Sequence, residues 1–230
     1  MRVTFLDHSG FLVELPSVTL LFDWWKGGLP ALRPDVPLLV FASHWHDDHF
    51  SPAIFSLNAD AYILGGMDRP WLEKKGASPK ALERCISLSG NETRAPLPGV
   101  MVETLPSTDE GVAFLVTCDG QTVFHAGDLN WWHWEGEPDP WNPDMERNFK
   151  AFCKPLTGRC LDLALLPLDP RQNDDGFRGA NYFMEIAQVR RFIPMHQWGR
   201  FAFTERFLSK YPEHAAQTIP VLRAGQVFEF

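Results

Sequence analysis

The first 42 residues alternate between runs of apolar, β-branched side chains and short polar breaks. RVTFLDH, FLVEL and VTLLFDW are separated by Ser9-Gly10 and Pro16-Ser17, pairs that suit tight turns, so the pattern predicts three strands. LLVFAS follows as a continuous apolar run, as expected of a strand covered on both faces. Ser51-Pro52 can cap and start a short helix through Leu57. AYIL, VMVETL and VAFLVTC read as strands, and Asp119-Gly120 between VAFLVTC and QTVFHA signals a tight hairpin. Farther along, Asn142-Pro143 opens a helix to about Lys154, LDLALL is a strand, Asn181 to Arg191 a helix and RFIPM a strand. The terminal IPVLRAGQVFEF reads as a final strand pair. Strands lead each half and helices fill in behind, which predicts an α/β (α+β) fold of sheets covered by helices. No repeat, low-complexity tract or Gly/Ser linker interrupts the pattern, so residues 1–230 are expected to form one domain.

Composition adds limits. The chain is 45% apolar, enough for a sizeable core, and its 21 Lys and Arg against 29 Asp and Glu give a net charge of −8. An acidic balance without a basic run argues against nucleic acid or an anionic membrane surface as a partner and leaves a small molecule as the expected one. Asp7, His8 and Glu14 interrupt the apolar N-terminal stretch, and no run approaches the ~20 apolar residues that span a bilayer. A soluble, cytoplasmic protein is the expectation; its oligomeric state is not legible. Cys85, Cys118, Cys153 and Cys160 lack CxxC spacing and are expected to be free thiols. Nine Trp and eight His stand apart from this ordinary profile.

Three His and two Asp fall within the six positions from His44 to His49, directly after a buried strand. Histidines two apart in an extended backbone can point to one side, as His44 and His46 would, while Asp48 and His49 face a second point where the chain turns. Neutral imidazole and carboxylate are ligands for a borderline divalent ion such as zinc, or for harder manganese or iron. Ionisable groups gathered at a strand end otherwise need some compensation for lost solvation.

The HxHxDH pattern of His44, His46, Asp48 and His49 resembles the signature of the metallo-β-lactamase fold superfamily. HAGD at 125–128, after the strand QTVF, supplies Asp128, matching that family's metal-bridging aspartate; PMHQWG at 194–199 supplies His196, matching its last histidine ligand. DHSGFLVE and LLFDW are similar to the opening strands of the branch holding ascorbate-6-phosphate lactonases and N-acyl phosphatidylethanolamine phospholipases. The resemblance runs from Val3 to about His196. It implies a four-layer αββα sandwich and a metal-dependent hydrolase in which a hydroxide held by two divalent ions cleaves a small ester, lactone or phosphodiester. One ion would take His44 and His46, the other Asp48, His49 and His196, with Asp128 bridging both. The carboxylates of Asp48 and Asp128 would also orient the nucleophile. Asp47 has no counterpart in the pattern and is expected at the surface or behind the ligands.

One element departs from the resemblance. The superfamily usually carries a third histidine on the first metal site, in the loop that here reads LPSTDEGVAFLV and contains none. Asp109 is the best substitute; an oxygen donor there would favour manganese or iron beside zinc, or weaken the site until one ion stays bound. An ordinary turn aspartate is the competing reading.

The densest aromatic cluster, Trp131, Trp132, His133 and Trp134, directly follows the HAGD element and is expected to wall or cover the substrate pocket. Trp45 and Trp198 can extend that wall. Asp169 and Arg171 leave the strand LDLALL on the same side. Arg171 can grip a carboxylate or phosphate in bidentate fashion, and Asp169 can partner Arg171 or a ligand histidine. His8 is a candidate proton donor to the leaving group, His125 a buried strand-end histidine and His214 a surface one. Competing functions are a small-nucleotide phosphodiesterase or nuclease, which the −8 charge disfavours, and a non-catalytic metal- or ligand-binding protein of the same fold. A redox di-iron protein would need an electron-transfer partner or a flavin domain.

Overall fold

The computed structural model describes residues 1–230. Seven strands make the first sheet: β1 (Arg2–Asp7), β2 (Gly10–Glu14), β3 (Thr19–Phe22), β4 (Leu38–Ala42), β5 (Ala61–Gly65), β6 (Cys85–Leu88) and β15 (Val227–Glu229). Their order is β15-β1-β2-β3-β4-β5-β6, antiparallel as far as β3 and parallel from β3 to β6. The second sheet holds β7 (Thr93–Leu97), β8 (Val100–Pro106), β9 (Val112–Cys118), β10 (Gln121–His125), β12 (Leu163–Pro167) and β14 (Phe192–Met195). It runs β14-β12-β10-β9-β8-β7, with the β10, β12 and β14 trio parallel. β11 (Cys160–Leu161) and β13 (Gln188–Val189) form a small parallel pair.

Period-two alternation decides which layer each strand residue joins. On β3, Leu20 and Phe22 enter the main core with Phe41 and Phe114, while Leu21 joins Leu12, Val40 and Leu64 on the opposite face. That opposite face is covered by α1 (Arg69–Lys74) and α2 (Pro79–Leu82) through Leu72, Ala81 and Leu82. The far face of the second sheet is covered by α3 (Trp141–Cys153), α4 (Arg178–Ile186) and α5 (Phe203–Lys210), with Phe124 stacked on Phe183 at 4.8 Å. The result is the expected αββα sandwich. No helix is long and apolar enough to cross a membrane.

The predicted strands through QTVFHA are present, and Asp119 and Gly120 both take positive φ (53° and 69°), as a two-residue primed turn requires. Pro52–Ser56 is a 3-10 turn, with Ser51 Oγ accepting from the Ala53 amide. Two expectations fail at their ends. The helix expected over 181–191 stops at Ile186, because Gln188 and Val189 pair with Cys160 and Leu161 as strand. The expected terminal strand pair is one strand, β15, which finds its partner in β1 rather than in its own neighbour. α1, α2, α5, β6 and β7 had no clear sequence signal: they are short or lie at sheet edges, where little burial is imposed.

Candidate metal centre

The parallel strands deliver their C-terminal ends to one edge of the sandwich, where α/β sheets commonly bind ligands. His44, His46, Asp48 and His49 follow β4, Asp128 follows β10 and His196 follows β14. Asp109 lies between β8 and β9, and His8 sits in the β1–β2 turn at a positive φ of 54°. Three sets of ligand atoms come together, each within 4.8 Å: His8, Asp48, His49 and His196; His44, His49 and Asp128; His44, His46 and Asp109. Asp128 is central. Its Oδ1 lies 3.2 Å from His49 Nε2 and 3.5 Å from His196 Nε2, and its Oδ2 3.8 Å from His44 Nε2. His46 Nδ1 stands 3.6 Å from Asp109 Oδ2, and His8 Nε2 stands 3.4 Å from Asp48 Oδ2.

Nε2 of His8, His44, His49 and His196 and Oδ1 of Asp128 are buried without a hydrogen-bond partner. Leaving a buried polar atom unsatisfied costs about 1–3 kcal/mol, so five converging ones make a poor water-free core and a good cation cradle. Electrostatics agree. Burial would raise the Asp128 carboxyl, but His49, His196 and His44 outweigh it and hold it well below the usual carboxylate range. Burial pushes His8 and His44 down to about 4, leaving neutral imidazoles with free lone pairs. Asp109 is raised by burial and by the nearby Asp128 charge, a crowding that a cation would relieve.

A buried outer layer aims these rings. Asp23, fully buried at the end of β3, has Oδ2 2.7 Å from His49 Nδ1 and 2.7 Å from Ser43 Oγ, while its Oδ1 accepts from the Ser43 amide. Ser43 Oγ is 2.9 Å from His44 Nδ1. Asp169 Oδ2 is 3.0 Å from His196 Nδ1. With Nδ1 engaged, Nε2 of each ring is turned toward the centre. Asp169 therefore holds both partners considered for it, Arg171 and a candidate ligand histidine, from a fully buried position behind the cavity wall. Asp23 and Ser43 went unread as site residues; the available signal was a carboxylate ending the apolar run VTLLFDW, where burial demands a partner. His125 is buried as expected, 2.8 Å from the Ser9 carbonyl, and Asp47 is exposed. His214 is not on the surface: it is buried against Phe207 with Nε2 2.9 Å from Asn181 Oδ1.

Three glycines close around Ser43. A Cβ on Gly65 or on Gly111 would stand 2.0 Å from the Ser43 carbonyl oxygen, and one on Gly127 would stand 2.6 Å from Ser43 Cβ. Gly65→Ala is expected to displace Ser43 and with it the His44 and His49 supports. Overpacking of this kind costs about 1–3 kcal/mol. Thermal unfolding and metal content should fall together; a variant with wild-type values of both would show that the loop yields freely.

A cavity of about 270 Å³ opens beside the cluster, lined by His46, Asp48, Asp128 and His196 and, across from them, by Trp132, Trp134, Trp141, Met145 and Arg171. Trp132 and Trp134 lie parallel, their centroids 6.1 Å apart, and Trp132 Nε1 donates to the Asp128 carbonyl. Trp131 and His133 do not join this wall. Trp131 packs near Phe149 and Tyr182 under Lys150, and His133 Nε2 lies 3.9 Å from Asp175. Trp198 stands over His8, ring centroids 4.5 Å apart, whereas Trp45 turns out toward Met67 and Trp71.

Two facing mixed sheets with a His and Asp cluster at the strand ends define the metallo-β-lactamase fold. Residues 2–133 match the family described as beta-lactamase superfamily domain, and the chain belongs to that superfamily. A UPF0173 metal-dependent hydrolase from Nitratidesulfovibrio vulgaris is 29% identical over 242 residues, covering 96% of this chain and 90% of the relative. A second, from Methanopyrus kandleri, is 30% identical and covers 100% of both. The structure of Igni18, a metallo hydrolase from Ignicoccus hospitalis, matches with a TM-score of 0.67 at 20% identity, over 100% of this chain and 98% of that one; this likeness is one of fold. The chain is a metal-dependent hydrolase of the superfamily.

Proposed function

We propose that residues 1–230 act as one domain that hydrolyses a small ester, lactone or phosphodiester at a centre of two divalent cations, zinc or else manganese or iron. The observation that carries this reading is the convergence of five unpartnered buried ligand atoms, four imidazole nitrogens and Asp128 Oδ1. His44, His46 and Asp109 would hold one cation and Asp48, His49 and His196 the other, with Asp128 between them. When bound, such ions polarise the scissile carbonyl or phosphoryl group and lower the pKa of water to near 7. The chain's own groups do the rest. Asp128, ionised and placed between both sets, can orient the attacking water; Asp48, whose carboxyl His8, 3.4 Å away, and His49 lower against the effect of burial, can do so from the cavity side. Trp132 and Trp134 seat the apolar part of the substrate and exclude bulk water from it. His8, neutral and buried with its Nε2 aimed at Asp48, His49 and His196, is better suited to a ligand or base than to the proton donor its motif suggested.

Metal analysis combined with turnover of chromogenic ester, lactone and phosphodiester substrates tests the reading. Wild-type protein is expected to hold about two ions and to turn over at least one substrate class; stoichiometric metal with no turnover above an Asp128→Ala control would favour a binding protein. Asp109→Ala is expected to reduce the content to about one ion, because it strips the His44 and His46 set of its carboxylate. Unchanged content would make Asp109 a turn residue only. Trp134→Ala should raise KM several-fold with little change in kcat, since aromatic contact binds ground and transition states alike.

A further inference from the structure

Arg171 is the only lysine or arginine in the wall of the cavity that holds the ligand cluster. Its guanidinium is held from several directions. Nε lies 3.0 Å and 2.9 Å from the two Asp169 oxygens, Nη2 donates to the same carboxylate, and Cζ lies 4.6 Å from the Trp198 ring and 5.6 Å from the Trp134 ring. The Nε/Nη2 edge of the guanidinium is thus already occupied by Asp169, which leaves its Nη1 end. Nη1 alone remains without a protein acceptor, on a side chain that is 45% exposed. Asp169 is fully buried and shared with His196, so one carboxylate ties this guanidinium to the candidate ligand cluster. Arg171 and the candidate ligands Asp48, Asp128 and His196 also line one cavity of about 270 Å³, so a substrate that meets both has to be small. The other charges in the cavity, Asp48, Asp109 and Asp128, face the candidate ligand histidines, which leaves Arg171 as the fixed cation available to a substrate.

We propose that Arg171 selects for substrates that carry an oxyanion, a carboxylate or a phosphoryl group, a short chain away from the bond that is cleaved. The oxyanion accepts from Nη1, the apolar body lies along Trp132 and Trp134, and the scissile bond faces the His and Asp cluster. This rests on the hydrolase reading above. Hydrolysis of such an ester adds water across the acyl C–O bond and releases an acid and an alcohol.

The test uses metal-loaded protein and 4-nitrophenyl esters whose acyl chains, matched in length, end in methyl, carboxylate or phosphonate. A charge-assisted hydrogen bond supports about a tenfold preference in kcat/KM for an anionic ester over the methyl one. Arg171→Met should erase that preference and Arg171→Lys should keep part of it; the carboxylate and phosphonate arms tell the two oxyanions apart. Equal kcat/KM for methyl and anionic esters in the wild type, or a preference that survives Arg171→Met, would overturn the proposal. Should Arg171→Met lose metal through Asp169, the Lys variant and the wild-type preference decide. If no ester, lactone or phosphodiester turns over despite stoichiometric metal, the fault lies with the hydrolase reading, and calorimetric binding of butyrate and propylphosphonate against neutral butyramide judges Arg171 by itself. Binding of the anions with wild-type preference and its loss in the variant supports the site; equal binding overturns it.

Discussion

Asp128→Ala is expected to empty both halves of the centre and lower hydrolysis more than about 10²-fold, beyond the range usual for groups that only support a ligand. Asp128 faces His44, His49 and His196 at once, so its loss leaves three buried imidazole nitrogens without their shared carboxylate. Removing one partner from a buried charged set also destabilises, by about 3–5 kcal/mol. Asp128→Asn separates the two effects: the volume is kept, so circular dichroism and the unfolding curve should stay nearer wild type while metal content collapses. Retention of two ions by the Asn variant would show that Asp128 is not a ligand.

Asp23→Asn should have the second-largest effect, although Asp23 lies outside the cavity. Its carboxylate accepts from Ser43 and sits 2.7 Å from His49 Nδ1, which holds a proton on Nδ1 and leaves Nε2 as the nitrogen that can give its lone pair to a cation. An amide can present its NH2 to Nδ1, shifting the ring proton to Nε2 and blocking the atom that faces the centre. The expected loss is about 10- to 100-fold in metal affinity, measured by chelator competition. Burial raises and the His125 and His49 interactions lower the Asp23 carboxyl, with a net fall below its usual range, so it is ionised at neutral pH. Asp23→Glu, which restores the charge with a longer arm, should recover part of the affinity. A merely structural role would instead shift the unfolding temperature of both variants and leave affinity alone.

The legible part of the site was local in sequence. His44, His46, Asp48 and His49 share one turn, and Asp128 and His196 each end a strand whose apolar run announced it. Asp23 reaches His49 across 26 positions and Asp109 meets His46 across a loop, pairings that need strand order and register before they exist. The aromatic cluster shows the limit most clearly. Four consecutive residues read as one wall, but Trp132 and Trp134 line the cavity while Trp131 and His133 pack elsewhere, and composition does not say which way a side chain points. In the fold, the long buried strands were readable from their apolar runs. The 186–189 stretch was not, because its partner β11 decides that it is strand, and neither was β15, whose partner is at the other end of the chain.

The two sides of the cavity have different genealogies within the chain. The proposed ligands come from four separated strand ends and loops, most of them buried, so no single insertion can rearrange them. Trp132, Trp134, Trp141 and Met145 come from one contiguous stretch of 14 positions that follows β10 and enters α3. Drift in that one stretch can retune what the cavity admits while the metal chemistry stays fixed. A chimaera exchanging residues 131–145 between relatives would thus be a route to new substrate ranges on an unchanged catalytic floor.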